Sequence, residues 1–431
     1  MSVLNELVTL AESASRRTMF SLTSPQLTRL IGEPFFWFLG LRRRGKDFDL
    51  PEIKRVLLVR LDGIGDVVMT SSFLRELRRN LPDARITLIV EPAVYNLVEL
   101  CPYVNEVLTF DWKVSRYLDP IQRHWQALRL AYRDLWHRRF DLAVVPRWDA
   151  DYYYASFLAY FSGAPWRVGY SENVIDLKRR LNGSFDKLFT HVLDNNVLKH
   201  EVEHNLDVIH FLDGTVQEDR MELWVSPEDE AFAEQVLKSH EVPPDDLLIA
   251  FGPGAGDLRR MWPISNFIEL GAWLKMGSHA RIMVLGGQGE EPLGRELQRQ
   301  LGDPVVNVVG QATLRQTGAL LKRCCLYVGN DAGPMHMAAA AGAPVIEISC
   351  HPCDNAPWHS NSPIRFGPWG VPHIVLQPRA ADYFCSEGCK ASNAHCILGI
   401  TVEQAKEAVV SCMSQLSGVV PHVRFGQWYT L

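Results

Sequence analysis

The sequence predicts an α/β protein of two doubly wound halves facing across a cleft, preceded by a helical segment of another character. Three observations lead there. Apolar strand patterns alternate with helical ones from Lys54 onward, the alternation restarts after Pro243-Pro244, and glycine-rich turns follow several of the strands. The 431 residues are too many for one core and suit two domains.

Composition narrows the class. With 47% hydrophobic and 22% charged residues the chain is globular, and its formal charge of −6 lacks the basic excess of a general nucleic-acid binder. Nine cysteines without an export pattern at the amino terminus point to a reducing, cytoplasmic setting. No run of eighteen apolar residues suits a membrane span.

Residues 1–50 form the extension. Phe35, Phe36, Trp37 and Phe38 lead into Arg42, Arg43 and Arg44, a pairing that suits the anionic inner face of a membrane and equally a helical layer or a subunit contact. Residues 51–215 are expected as the first half. Arg55–Arg60 is a buried strand, Asp62-Gly-Ile-Gly-Asp66 a turn, and 67–80 a helix, with further strands at 86–90, 106–110 and 141–145. The stretch 170–198 reads as loop over the cleft, 200–212 as a helix, and Pro243-Pro244 as the linker.

Residues 245–431 are expected as the second half, with strands at 247–251, 281–285, 305–309, 326–328 and 345–348. Its C-terminal helix is one that can return to the first half. Leu326 to Ile348 reads as strand, tight turn, short helix, strand, with Asp331 or its neighbour as cap, Pro334 in the first turn, and Gly342 with Pro344 as the stop. Free N–H groups and the helix dipole make such a turn a phosphate seat, although an ordinary crossover helix has the same pattern.

Chemically suggestive residues fall at the strand ends. Asp66 can take a proton from a hydroxyl, or simply satisfy a helix N-terminus. In Gly252-Pro-Gly254-Ala-Gly-Asp-Leu-Arg-Arg-Met-Trp-Pro263 a cation, Arg259 or Arg260, precedes a helix start and suits a diphosphate. A glutamate of Leu285-Gly-Gly-Gln-Gly-Glu-Glu291 can accept from a ribose diol. Cys350, Cys353, Cys385, Cys389 and Cys396, the last beside His395, can make a structural metal site or remain buried thiols. His336 reads as a packing residue or phosphate-side donor.

These motifs resemble glycosyltransferase family 9, the ADP-heptose:lipopolysaccharide heptosyltransferases, over roughly residues 54–415. Gly65-Asp66 matches the family's Gly-Asp, Arg260 before Trp262-Pro263 its cation (lysine in many members), and Asp331-Ala-Gly-Pro-Met-His336 its Asp-x-Gly-Pro-Met-His motif. Ser162–Tyr170 is similar to its acceptor-side strand and turn, and the late Cys-x3-Cys…Cys stretch occurs in many members. The resemblance implies the GT-B fold and inverting transfer from a nucleotide-sugar donor, ADP-heptose, to a glycan or glycolipid acceptor such as a lipopolysaccharide core. It also implies Asp66 as base and no cofactor or catalytic metal, and together with the turns read above it gives a donor site of Gly254, Arg260, Trp262, Glu290, Asp331, Ala332, Gly333 and His336. The alternative expectation is a non-catalytic nucleotide-sugar-binding protein of an envelope complex; the oligomeric state stays open.

Overall fold

A computed structural model describes residues 25–41, 50–112, 119–244, 246–278, 280–381, 385 and 391–416. Two six-stranded parallel sheets dominate it. The first contains β1 (Arg55–Arg60), β2 (Arg85–Val90), β3 (Glu106–Thr109), β4 (Leu142–Val145), β5 (Trp166–Tyr170) and β6 (His191–Leu193) in the order β3-β2-β1-β4-β5-β6. The second contains β7 (Leu248–Gly252), β8 (Arg281–Val284), β9 (Val305–Asn307), β10 (Leu326–Asn330), β11 (Val345–Ile348) and β12 (His373–Leu376), in the order β12-β11-β10-β7-β8-β9. Read from its own first strand, the second sheet repeats the first. In such an order the connections diverge between β1 and β4, and between β7 and β10, and the crevice beyond the carboxyl ends there is where ligands bind.

The central strands are apolar on both faces because helices cover both. Val56 to Val59 and Leu326 to Val328 are at most 1% exposed. Tyr170 to Leu198 is not loop over the cleft. It holds the helix Asp176–Leu181 and edge strand β6, too short for its alternation to stand out in the sequence. The helix expected over 67–80 is two, Ile64–Met69 and Ser71–Asn80, joined at Thr70.

The chain crosses between the sheets before the proline pair. Residues after the helix Glu201–Phe211 run along the first half, where Arg75 Nη1 holds Glu222 Oε1 at 2.6 Å and Arg75 Nη2 donates to the Glu218 carbonyl. The helix Pro227–Ser239 then packs on the helix Leu314–Leu321 of the second half, with Arg315 Nε 2.8 Å from Asp229 Oδ2. The last described helix, Val402–Leu416, does not return to the first half. Val402, Ala405, Val409 and Met413 are buried in the second half's core.

The amino-terminal helix Pro25–Phe38 lies on the first half. Phe36 is buried, its ring 5.5 Å from Tyr160, so the apolar block is divided: Phe36 packs inward, while Trp37 and Phe38 are 84% and 81% exposed. Arg42, Arg43 and Arg44 lie outside the described residues. Among the described residues no helix is long and apolar enough to cross a membrane.

Candidate functional site

Both switch points carry the residues singled out above. β1 ends at Arg60, and the helix Ile64–Met69 starts after Gly63, whose extended backbone supplies no side-chain cap. Asp66 stands in the first turn, where a carboxylate is favoured by the dipole. Its Oδ1 is 3.2 Å from Arg60 Nη2, and its side chain remains 26% exposed, enough for a hydroxyl to reach it. Burial pushes its carboxyl above the usual aspartate range, and the Arg60 guanidinium pulls the other way. Arg60 is shared with Asp62, Nε to Oδ2 at 3.0 Å, and Asp62 pairs in turn with Arg147.

Across the cleft, the helix Gly333–Ala340 starts from Ala332 with Pro334 in its first turn and no side-chain cap. Asp331 does not cap it. Instead its Oδ2 lies 2.8 Å from Arg260 Nη2, and Arg260 also donates to the Asp331 carbonyl. Arg259 is turned to Asp257, so of the two adjacent arginines it is Arg260 that the fold sets beside the helix start. Among the described residues the buried Arg260 Nε has no hydrogen-bond partner. Asn330, fully buried at the end of β10, binds the turns together: its Oδ1 accepts from Trp262 N at 3.0 Å and its Nδ2 donates to the Pro253 carbonyl at 2.7 Å.

Trp262, expected to face the donor, is 1% exposed and packs at 5.1 Å on Phe267 inside the second core. Its Nε1 donates to the Ile400 carbonyl at 2.9 Å, so it holds the turn and presents no surface to a ligand. Of the two glutamates after β8, Glu290 closes on the turn. A Cβ at Gly254 would lie 1.9 Å from its Oε1, and its Oε2 accepts from Gly287 N at 2.8 Å. A side chain at position 254 would displace that carboxylate. Glu291 pairs with Arg295 on its own helix.

The two helix starts meet. A Cβ at Gly65 would sit 2.4 Å from His336 Cδ2, and one at Gly333 2.8 Å from Ile64 Cβ. Burial pushes the His336 imidazole down to about 3, so it is neutral packing at the junction, its Nδ1 without a partner among the described residues. Neighbouring contacts bind the halves further. Arg365, fully buried, reaches Asp149 Oδ2 at 2.9 Å and Glu201 Oε1 at 3.1 Å, and its guanidinium lies 4.8 Å from the Trp148 ring centre. His200 Nε2 donates to the Gly367 carbonyl at 2.9 Å. Asp149 is occupied by this contact, and Asp151 accepts from Ala155 N and Ser156 N at a helix start.

The cysteines divide. Cys385 and Cys396 come together with His395; Cys350 and Cys353 stay outside that group, Cys353 exposed, and Cys389 lies outside the described residues. Arg60, Arg147, Arg365, Asp62 and Glu201 escaped the sequence reading. Arg60 carried a signal, a charge at the carboxyl end of a strand whose middle is apolar; the others are paired only by the tertiary fold.

Comparison with known proteins adds a second line of argument. The family model described as glycosyltransferase family 9 (heptosyltransferase) matches residues 129–375, more than half of the chain. The lipopolysaccharide core heptosyltransferase OpsX of Haemophilus influenzae is 23% identical over 317 residues, 71% of this chain and 82% of that protein. Two solved structures share the fold. A family 9 glycosyltransferase from Veillonella parvula has a TM-score of 0.70 at 20% identity, over 86% of this chain and 100% of that one. The ADP-heptose lipopolysaccharide heptosyltransferase II of E. coli has a TM-score of 0.60 at 20% identity, over 84% and 99%. The two parallel sheets are those of a GT-B fold.

Proposed function

The chain belongs to glycosyltransferase family 9, and on that premise we propose an inverting, metal-independent heptosyltransferase that moves heptose from ADP-heptose to a lipopolysaccharide core or related surface glycan. The names of similar proteins support donor and acceptor, since one is called a lipopolysaccharide core heptosyltransferase and another an ADP-heptose heptosyltransferase. One observation supports the mechanism: the helix that carries Asp66 in its first turn packs on the helix that starts at Ala332-Gly333, beside which Asp331 holds Arg260.

In this reading residues 51–215 hold the acceptor and 245–431 the donor. Asp66 takes the proton of an acceptor hydroxyl, whose oxygen forms a bond to the anomeric carbon. The bond from that carbon to the phosphate oxygen breaks on the opposite face, and its electron pair leaves with ADP. The free N–H groups of Ala332 and Gly333 and the guanidinium of Arg260 meet the charge that develops there. Glu290 accepts from the ribose, Gly254 leaves the carboxylate its room, and Asp331 holds Arg260 in place. Trp262 and His336 support these groups from behind. The exposed Trp37 and Phe38 would set the enzyme on the cytoplasmic face of the inner membrane, near a lipid-linked acceptor.

The test is transfer from a panel of nucleotide sugars to heptose-accepting core oligosaccharide, with and without chelator. ADP-heptose should be the productive donor and Asp66→Asn should lose about two or more orders of magnitude in turnover with ADP affinity kept. Near-normal turnover of that variant would rule out Asp66 as base.

A further inference from the structure

The group Cys385, His395 and Cys396 has no part in the transfer chemistry, yet its geometry is that of a ligand set. Its two sulfurs and one ring nitrogen all lie within 4.8 Å of one another. On a tetrahedral zinc ion, with bonds of about 2.3 Å to sulfur and about 2.0–2.1 Å to nitrogen, such atoms stand roughly 3.6–3.8 Å apart. Cys385 Sγ and His395 Nε2 are 2.7 Å apart, so an ion replacing the thiol proton parts them by about 1 Å.

A second observation fixes the direction of the imidazole. His395 Nδ1 is 3.0 Å from the Asn393 carbonyl. A carbonyl only accepts, so Nδ1 carries the hydrogen and the lone pair of Nε2 is turned toward the sulfurs. A backbone carbonyl on the far ring nitrogen is the usual partner of a metal-bound histidine, where it sets tautomer and ring orientation.

We propose that Cys385, His395 and Cys396 bind one zinc ion through two thiolates and a neutral imidazole, with water in the fourth tetrahedral position, releasing the two thiol protons, and that this ion braces the second half. Sulfur and imidazole donors together suit zinc. Cys396 opens the turn Cys396–Gly399, whose Ile397 and following Ile400 are buried in the second core. The Ile400 carbonyl receives Trp262 Nε1, two residues beyond Arg260. The ion therefore pins the support on which the arginine's turn rests. This assignment stands apart from the identity of the transferred sugar, because metal content and spectra read it without any activity measurement.

The experiment uses the full chain, stripped with chelator and titrated with Zn²⁺ or Co²⁺ alone. One equivalent should bind, and cobalt should give thiolate-to-metal charge-transfer absorption with the strong visible bands of a tetrahedral site. Cys385→Ser and His395→Gln should weaken binding by more than the roughly 10–100-fold that loss of an outer partner costs. Chelation should lower the melting temperature of the unaltered chain and zinc should restore it, a measurement that decides the matter even where the variants do not fold. Absence of stoichiometric binding, full-strength cobalt bands in both variants, or a melting temperature indifferent to chelator would each overturn the site. Iron instead of zinc in the chain as purified would overturn the choice of metal.

Discussion

Replacing Arg60 with methionine removes the strongest of the charges that act on Asp66, a carboxylate also influenced by Glu201, Arg365 and Asp149. Burial raises the Asp66 carboxyl and Arg60, at 3.2 Å, opposes that rise. An opposite charge at such range lowers a carboxyl by about one to three pH units, and sharing Arg60 with Asp62 at 3.0 Å argues for the smaller figure. The sign follows directly. A base works only when deprotonated, so activity falls as pH drops through the Asp66 value; removing the cation moves that fall to higher pH. In Arg60→Met the acid limb of kcat/KM should therefore rise by about one pH unit or more, while the rate at high pH stays close to that of the unaltered enzyme. Asp62 keeps its Arg147 partner, and a melting curve checks that the fold survives. The assay is initial rate against pH at low acceptor concentration for both proteins. An acid limb that stays in place, or moves down, refutes Asp66 as the titrating base or the pair as its regulator.

Arg260→Ala should weaken ADP binding roughly tenfold to a hundredfold by calorimetry, the loss of a charged hydrogen bond, and strict Mg²⁺ dependence in the same titration would sink the metal-independent mechanism. Gly65→Ala should cost about 1–3 kcal/mol in denaturant unfolding because its methyl meets His336, with part regained in the Gly65→Ala/His336→Ala double variant; an unchanged midpoint would mean the junction is looser than 2.4 Å implies. Arg365→Met should destabilise by about 3–5 kcal/mol at neutral pH, leaving Asp149 and Glu201 buried without their cation. Burial is the largest influence and raises both carboxyls, but Arg365, joined by Arg147 at Asp149 and by His204 and Arg60 at Glu201, holds them below their usual range, so the stability they contribute is present above about pH 4, is lost as pH falls further, and should shrink in the variant. Trp37→Ser/Phe38→Ser should release the chain from anionic vesicles in a sedimentation assay without altering transfer to a soluble acceptor, Phe36 being left in its packing against Tyr160; equal vesicle binding would end the membrane reading.

What could be read from the sequence was what neighbours in the chain decide. The Leu326 to Ile348 pattern of strand, turn, helix and strand is local, and so is Asp66 in a first helical turn. The two-sheet architecture followed because buried parallel strands write themselves as apolar runs separated by helical spacing. What could not be read was every choice made by a distant partner. Nothing near Asp331 says that its carboxylate turns to Arg260, 71 positions earlier, instead of capping its own helix. Nothing near Trp262 says that its ring enters the core to reach Ile400. Spacing alone grouped Cys350 and Cys353 with the later cysteines, whereas the fold brings His395 to Cys385 and Cys396.

These distant choices share a consequence for the site. Arg147, Arg260 and Arg365 are held by carboxylates from distant parts of the chain and Arg60 by Asp62 and Asp66 of the turn and helix that follow it, and these pairings lie at or beside the two switch points. A cation held by carboxylates has little freedom to follow a ligand, so in the proposed reaction the positive charge meeting the departing diphosphate is placed before the donor arrives and need not be reorganised. The same would hold for the proposed base: Arg60, itself paired with Asp62, holds Asp66, whose side chain stays 26% exposed. In this arrangement each half carries its own charge set, and the contact of Gly65 with His336 and of Ile64 with Gly333 brings the two sets to a common point.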